Sequence, residues 1–187
     1  MLYHVSNKSG LKSIEPRVSN HGKAYVYATE DLVTCLLFGV RQDDFDFIIE
    51  LNQDGLTEIY ECYKNALEIH YREKQCSVYQ LKDSGFLEGQ TSWDAELVSE
   101  YTTYVENETV IEDIYQRLLQ EEANGNLIIH RYERTMEYKH IISMHIVERL
   151  IQFDAMKYIE DDERFQKYYS RLIQGLDELM SGRYLND

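Results

Sequence analysis

The sequence predicts an α+β fold, and three observations point to it. Short strand-like runs rich in Tyr, Val and Ile fill most of residues 1–123. One of them, AYVYAT at 24–29, runs directly into Thr-Glu-Asp, a helix start. The NGN at 124–126 closes this pattern, and two long helical periodicities follow it. The expected organisation is a core over residues 1–123 and a C-terminal helical extension over 124–187. Within the core, residues 1–115 are expected to form two small, mostly antiparallel sheets that meet at a cleft, with helices at their edges.

LYHV at 2–5 reads as a short strand, broken by SNKSG. GLKSIEPR is a turn or half-helix that ends at Pro16. In the strand at 24–29, Tyr25 and Tyr27 share one face, while Ala24, Val26 and Ala28 share the other. Thr29 is the expected N-cap of a helix over 30–39, with Glu30 and Asp31 in its first turn and Leu32, Leu36 and Val40 on one side. DFIIELN at 46–52 and SVYQL at 77–81 are buried-looking strands. The stretch 55–75 is ambiguous, because TEIYECY alternates like a strand while KNALEIHYREK suits a helix. SWDAELVSE at 92–100 and TTYV at 102–105 read as strand with an irregular joint. VIEDIYQRLLQEE at 110–122 has helical spacing at Ile111, Ile114, Leu118 and Leu119. Helices are expected at 133–153 and 162–180, the second with Phe165, Tyr168, Tyr169, Leu172, Leu176 and Leu179 in one stripe. Stripes of this kind are expected to be buried on the core or across a homodimer.

Of the 187 residues, 43% are hydrophobic and 28% charged, ordinary values for a globular chain with a sizeable core. Sixteen tyrosines suggest half-buried strand and groove surfaces. The net charge of −15 disfavours a nucleic acid or an acidic membrane surface as partner. The distribution is uneven. Residues 1–41 carry Lys8, Lys12, Arg17, Lys23 and Arg41 against Glu15, Glu30 and Asp31, a net of +2, which leaves −17 for the remainder. A small anion would therefore meet the N-terminal part. Cys35, Cys62 and Cys76 are odd in number and contain no CxxC pair, so neither a disulfide framework nor a zinc knuckle is indicated. With no signal-peptide pattern and no apolar run near the ~18 residues of a membrane span, the expectation is a reduced, soluble, cytoplasmic protein.

Three stretches combine into a more specific pattern: LYHVS at 2–6, VYAT with its following helix at 26–38, and WDAELVSE at 93–100. Their order resembles that of the ADP-ribosyltransferase superfamily over about residues 1–115. Members bind NAD in a cleft between two small split sheets. The first motif is a strand with a His or Arg, the second a strand with a Tyr or small hydroxyl residue before a helix, and the third a strand bearing a catalytic Glu. Carried over, the resemblance implies that His4 hydrogen-bonds a ribose of NAD and that Ser6 is the accompanying hydroxyl. Tyr27 is the second-motif tyrosine, Cys35 the small residue beside the nicotinamide, and Phe38 the ring that stacks on it. Val5 stands where many members have glycine, and its side chain would narrow the pocket. Glu96 matches the glutamate of the nucleic-acid-modifying branch and Glu100 that of the poly-ADP-ribosylating branch; the two cannot both hold the role. Arg17 can meet a phosphate. NAD is implied as substrate, with an unknown acceptor or water receiving ADP-ribose, and no metal is implied. A related branch that removes 2′-phosphates from RNA uses basic residues that are not evident here.

The chemistry makes the set sensible. Cleaving the bond to a pyridinium leaving group gives an oxocarbenium-like transition state, which a carboxylate near the ribose stabilises. An aromatic ring holds the flat nicotinamide, and a His or Arg fixes the rest. Taken singly, His4 fits an edge strand, Tyr27 a core and each glutamate a solvated surface; only their joint order marks a site. Glu96 is preferred to Glu100, since Ala-Glu-Leu-Val reads as the start of a buried strand and Ser99 to Thr102 as a bend. His130, His140 and His145 lie in the tail region, but His140 and His145 are i, i+5, on different helix faces, and read as packing or surface residues. The alternative function is a non-catalytic nucleotide- or protein-binding module on the same fold, with Val5 marking a repurposed pocket and the helical tail binding a partner.

Overall fold

The computed structural model describes residues 1–18, 22–40, 46–82, 85–91 and 95–152. In chain order the elements are β1 (Leu2–Ser6), β2 (Ser13–Ile14), β3 (Arg17–Val18), β4 (Ala24–Ala28), α1 (Leu32–Leu37), β5 (Phe47–Leu51), β6 (Thr57–Glu61), α2 (Ala66–Tyr71), β7 (Cys76–Leu81), β8 (Leu97–Ser99), β9 (Thr103–Ile111), α3 (Ile114–Ala123), β10 (Leu127–His130) and α4 (Met136–Gln152). The class is α+β. Strands form a four-stranded sheet of order β1-β7-β9-β2 and two three-stranded sheets, β3-β4-β8 and β10-β6-β5. The chain divides into two compact units. One comprises Met1–Asp43, Leu51–Glu58 and Leu67–Ile128, the other Asp44–Glu50, Ile59–Ala66 and Ile129–Asp187.

The first unit holds the N-terminal strands. β1 pairs antiparallel with β7 from Leu2 opposite Leu81 to Ser6 opposite Ser77. β7 pairs antiparallel with β9, with a register break between Gln80 and Leu81. β4 lies between β3 and β8, with Arg17 opposite Tyr25 and Tyr27 opposite Val98. The two sheets are joined where the Tyr3 amide donates to the Thr29 carbonyl at 2.8 Å and the Thr29 amide returns a bond to Tyr3 at 3.0 Å. The alternation in β4 has its expected consequence: Val26 and Ala28 enter the core with Leu2, Ile14, Tyr79 and Leu81. Leu11, Phe86, Leu97 and Val105 pack around that cluster.

Four boundaries differ from the sequence reading. α1 is capped by Asp31, not Thr29, and spans Leu32–Leu37 instead of 30–39. The Asp31 carboxylate accepts from the Thr34 amide at 2.8 Å and from the Thr57 hydroxyl at 2.9 Å, a partner supplied by β6. α1 is also buried along Val33–Leu37, so it carries no single apolar stripe. β9 continues through Ile111, and Asp113 caps α3 by accepting from the Gln116 amide at 3.1 Å. β8 is only three residues long, so Glu96 precedes it and Glu100 follows it. After the turn at 124–126, where Gly125 takes φ +79, a strand comes before the next helix. The ambiguous stretch 55–75 contains both alternatives in succession, β6 and then α2.

In the second unit, α4 buries Tyr138, Ile142 and Ser143. The Tyr138 hydroxyl donates to the His130 carbonyl at 2.7 Å, with the Glu61 carbonyl at 3.1 Å. The expected helix over 162–180 lies outside the described residues. Among those described, no helix is long and apolar enough to cross a membrane.

The Asp31 cap joins α1 to Thr57, which sets where the helix delivers Phe38 and Gly39. Asp31→Ala is expected to cost about 1–2 kcal/mol, measured as a lowered denaturant midpoint at unchanged slope. An unchanged midpoint would show that the cap carries no stability.

Candidate functional site

A cavity of about 550 Å³ opens in the first unit, within the size range of small-ligand sites. β1 contributes His4, Val5 and Ser6, and the loop after it contributes Asn7, Lys8 and Leu11. The segment from β2 to β3 contributes Ser13, Ile14, Glu15 and Arg17. β4 adds Tyr25, Val26 and Tyr27, and the end of α1 adds Phe38 and Gly39. Six residues singled out in the sequence, His4, Val5, Ser6, Arg17, Tyr27 and Phe38, therefore share one cavity.

His4 is the best-defined of them. Its Nδ1 lies 2.7 Å from the Tyr27 carbonyl oxygen. A carbonyl only accepts, so Nδ1 carries the proton and, in the neutral ring, Nε2 presents a lone pair. Burial holds the imidazole pKa below its ordinary value, opposed by the bond to Tyr27 and reinforced by the Arg17 charge. At neutral pH the ring is therefore an uncharged acceptor at Nε2, suited to a hydroxyl donor. Tyr25 stands edge-on to Tyr27 at 6.0 Å, and Phe38 is 46% exposed at the cavity.

Three other expected residues lie elsewhere. Cys35 is buried in α1 and does not line the cavity; burial, then Cys76 and Asp31, pushes its thiol pKa well up, so it is inert. Glu96 is half-buried and outside the lining. Glu100 is exposed, with its carboxylate 2.5 Å from Lys23 Nζ. The four-residue spacing between the glutamates assumed a strand running through both, and β8 is too short for that. Trp93, at the head of that motif, lies outside the described residues.

Sequence reasoning missed Lys8, Glu15 and Tyr25 as lining residues. Tyr25 looked like its strand neighbours, and Glu15 sits beside Pro16 in what read only as a turn. Lys8 belongs to a loop that tertiary bonds hold in place. The Tyr79 hydroxyl lies 2.6 Å from the Lys8 carbonyl, and the Leu11 amide donates to it at 3.3 Å. The Gly10 amide donates to both oxygens of Glu108, at 2.9 and 3.1 Å. Gly10 takes φ +76, a conformation that suits glycine. Gly39 is constrained in another way. A Cβ there would come 2.8 Å from the Ile114 side chain and 3.0 Å from the Leu36 carbonyl, so the wall after α1 packs without room for a side chain.

Two of the tail-region histidines, His130 and His145, take part in packing within the second unit. His130 stacks on Tyr60 at 4.1 Å, and His145 lies 5.1 Å from the same ring with Nδ1 2.5 Å from a Glu50 oxygen. Among the described residues no group of three His, Cys, Asp or Glu is placed to hold a metal. No family model matches the chain, and comparisons with curated proteins and with solved structures return no match.

Two predictions follow from this wall. The Gly10 amide, then the Ser77 hydroxyl, hold the Glu108 carboxyl below the usual carboxylate range. Its folded pKa is depressed, so its stabilisation is complete above the unfolded value of about 4.3 and is lost as pH falls through the lowered one. Glu108→Gln should therefore flatten the fall of the unfolding midpoint as pH drops below the ordinary carboxylate range; an unaltered acid limb would show that the clamp does not contribute. Gly39→Ala should lower stability by about 1–3 kcal/mol in a denaturant titration. A neutral substitution would mean that Ile114 can move aside.

Proposed function

We propose that the chain is an NAD-binding, ADP-ribosyltransferase-like protein whose cavity at β1 and β4 receives the nucleotide. In this reading the sheets β1-β7-β9-β2 and β3-β4-β8 correspond to the split sheets of that fold, and the helical extension begins at α4, after the strand β10. The observation that carries the proposal is the convergence of His4, Val5, Ser6, Arg17, Tyr27 and Phe38, drawn from four segments of sequence, on one cavity.

The parts have complementary tasks. Nε2 of His4 accepts from a ribose hydroxyl. Phe38, a partly exposed aromatic lining residue, meets the flat nicotinamide. Arg17 and Lys8 supply positive charge for the diphosphate in a chain that is otherwise acidic. Val5, a lining residue where many members of that superfamily have glycine, would narrow the site. The activity assigned is transfer of ADP-ribose from NAD to an acceptor or to water, with nicotinamide as leaving group. A second reading, a nucleotide-binding module without catalysis, is favoured by one observation: neither Glu96 nor Glu100 lines the cavity.

Titration of NAD, ADP-ribose and nicotinamide by calorimetry tests the proposal. NAD and ADP-ribose should bind, and His4→Ala should weaken both by about tenfold, the worth of one hydrogen bond to a partly buried group. Nicotinamide release from NAD separates the enzyme from the binding module. Absence of heat with all three ligands would remove the reading.

A further inference from the structure

We infer that Glu15 supplies the carboxylate that meets the nicotinamide-bearing ribose, in place of Glu96 or Glu100; this rests on the NAD reading above. Glu15 is the one carboxylate residue among the described residues lining the cavity, which it shares with His4, Arg17 and Phe38. No described residue holds its side chain in a hydrogen bond or ion pair, so its oxygens are open to a ligand. Glu100 differs, because its carboxylate is paired with Lys23.

The position of Glu15 is held from both sides. Ile14 is buried and stands opposite Thr103 of β9, while Arg17 stands opposite Tyr25 of β4. Only Glu15 and Pro16 span these two pairings, and the proline ring fixes its own φ. This two-residue bridge, pinned to a strand on each side, fixes the backbone from which the Glu15 carboxylate reaches the cavity. The neighbouring lining residues set its role. Lys8 and Arg17 draw the anionic diphosphate, and Glu15 is left to the part of NAD that becomes positive in the transition state.

The step balances with water as acceptor. The bond between ribose C1′ and the nicotinamide nitrogen breaks, and its electron pair leaves with neutral nicotinamide. The Glu15 carboxylate stabilises the oxocarbenium-like ribose and accepts a proton from the attacking water as the water oxygen bonds C1′. That proton then passes to solvent. The products are ADP-ribose, nicotinamide and one proton.

The test measures NAD affinity by calorimetry and nicotinamide release by chromatography for the full chain and for Glu15→Gln, Glu96→Gln and Glu100→Gln. Each variant is first checked for an unchanged unfolding midpoint, which is expected for Glu15→Gln because the side chain is exposed. Glu15→Gln should bind NAD within about threefold of the parent and release nicotinamide about 10²-fold or more slowly. Glu15→Asp, which keeps the charge, should retain more activity than Glu15→Gln. Release by Glu15→Gln at the parent rate overturns the inference, as does a loss confined to Glu96→Gln or Glu100→Gln. NAD binding by the parent without nicotinamide release also overturns it, while leaving the binding function intact. Failure of the parent to bind NAD overturns the functional reading itself, and this inference with it.

Discussion

The pair of backbone bonds between Tyr3 and Thr29 is the constraint on which the candidate site depends. It joins β1 of one sheet to the end of β4 in another, and so fixes where the two sheets meet. The His4–Tyr27 bond repeats the connection one residue further on from Tyr3, this time from side chain to backbone. The bond is partly buried, so loss of this partner would cost the carbonyl about 1 kcal/mol. The ring that satisfies it is thereby held in one tautomer with its other nitrogen available. One bond therefore links the junction and fixes the tautomer of a cavity-lining ring.

Charge and solvation fit together in the same place. The protein is strongly acidic, but its cavity is lined by Lys8, Arg17 and an uncharged His4, with Glu15 as its one described carboxylate. An anionic ligand reaching this surface meets local attraction within a repulsive overall field. The loop after β1 keeps Lys8 on the wall through Tyr79 and Glu108, residues about seventy and one hundred positions further along the chain. The cavity is thus built from contacts made across the first unit and is not a property of one local motif.

Much of this was legible in residues alone, and the exceptions share a cause. β1 and β4 announce themselves through short aromatic and β-branched runs, and the alternation of Tyr25 and Tyr27 with Val26 and Ala28 gives the core face directly. The order of the motifs singled out His4, Tyr27 and Phe38, and these come together. Thr29 and Asp31 are both good capping residues, and the choice of Asp31 is made by Thr57, twenty-six residues away. Ile111 fits both a helical stripe and a strand end; its pairing with Cys76 on β7 decides for strand. The brevity of β8 removes the strand geometry assumed for Glu96 and Glu100. Glu15 has no local signature, because its place at the cavity follows from β9 and β4 holding the segments on either side. In each case a pairing distant in sequence overrides a local preference.

The most direct measurement of the ligand's location and class is an amide chemical-shift titration of the isotope-labelled full chain with NAD. Binding in this cavity should give saturable shifts concentrated at residues 3–8, 13–17, 25–29 and 38–39, with the His4 amide among the largest, and their loss in His4→Ala at the same NAD concentration. Absence of shifts at millimolar NAD, or shifts confined to residues outside this cavity, would contradict it.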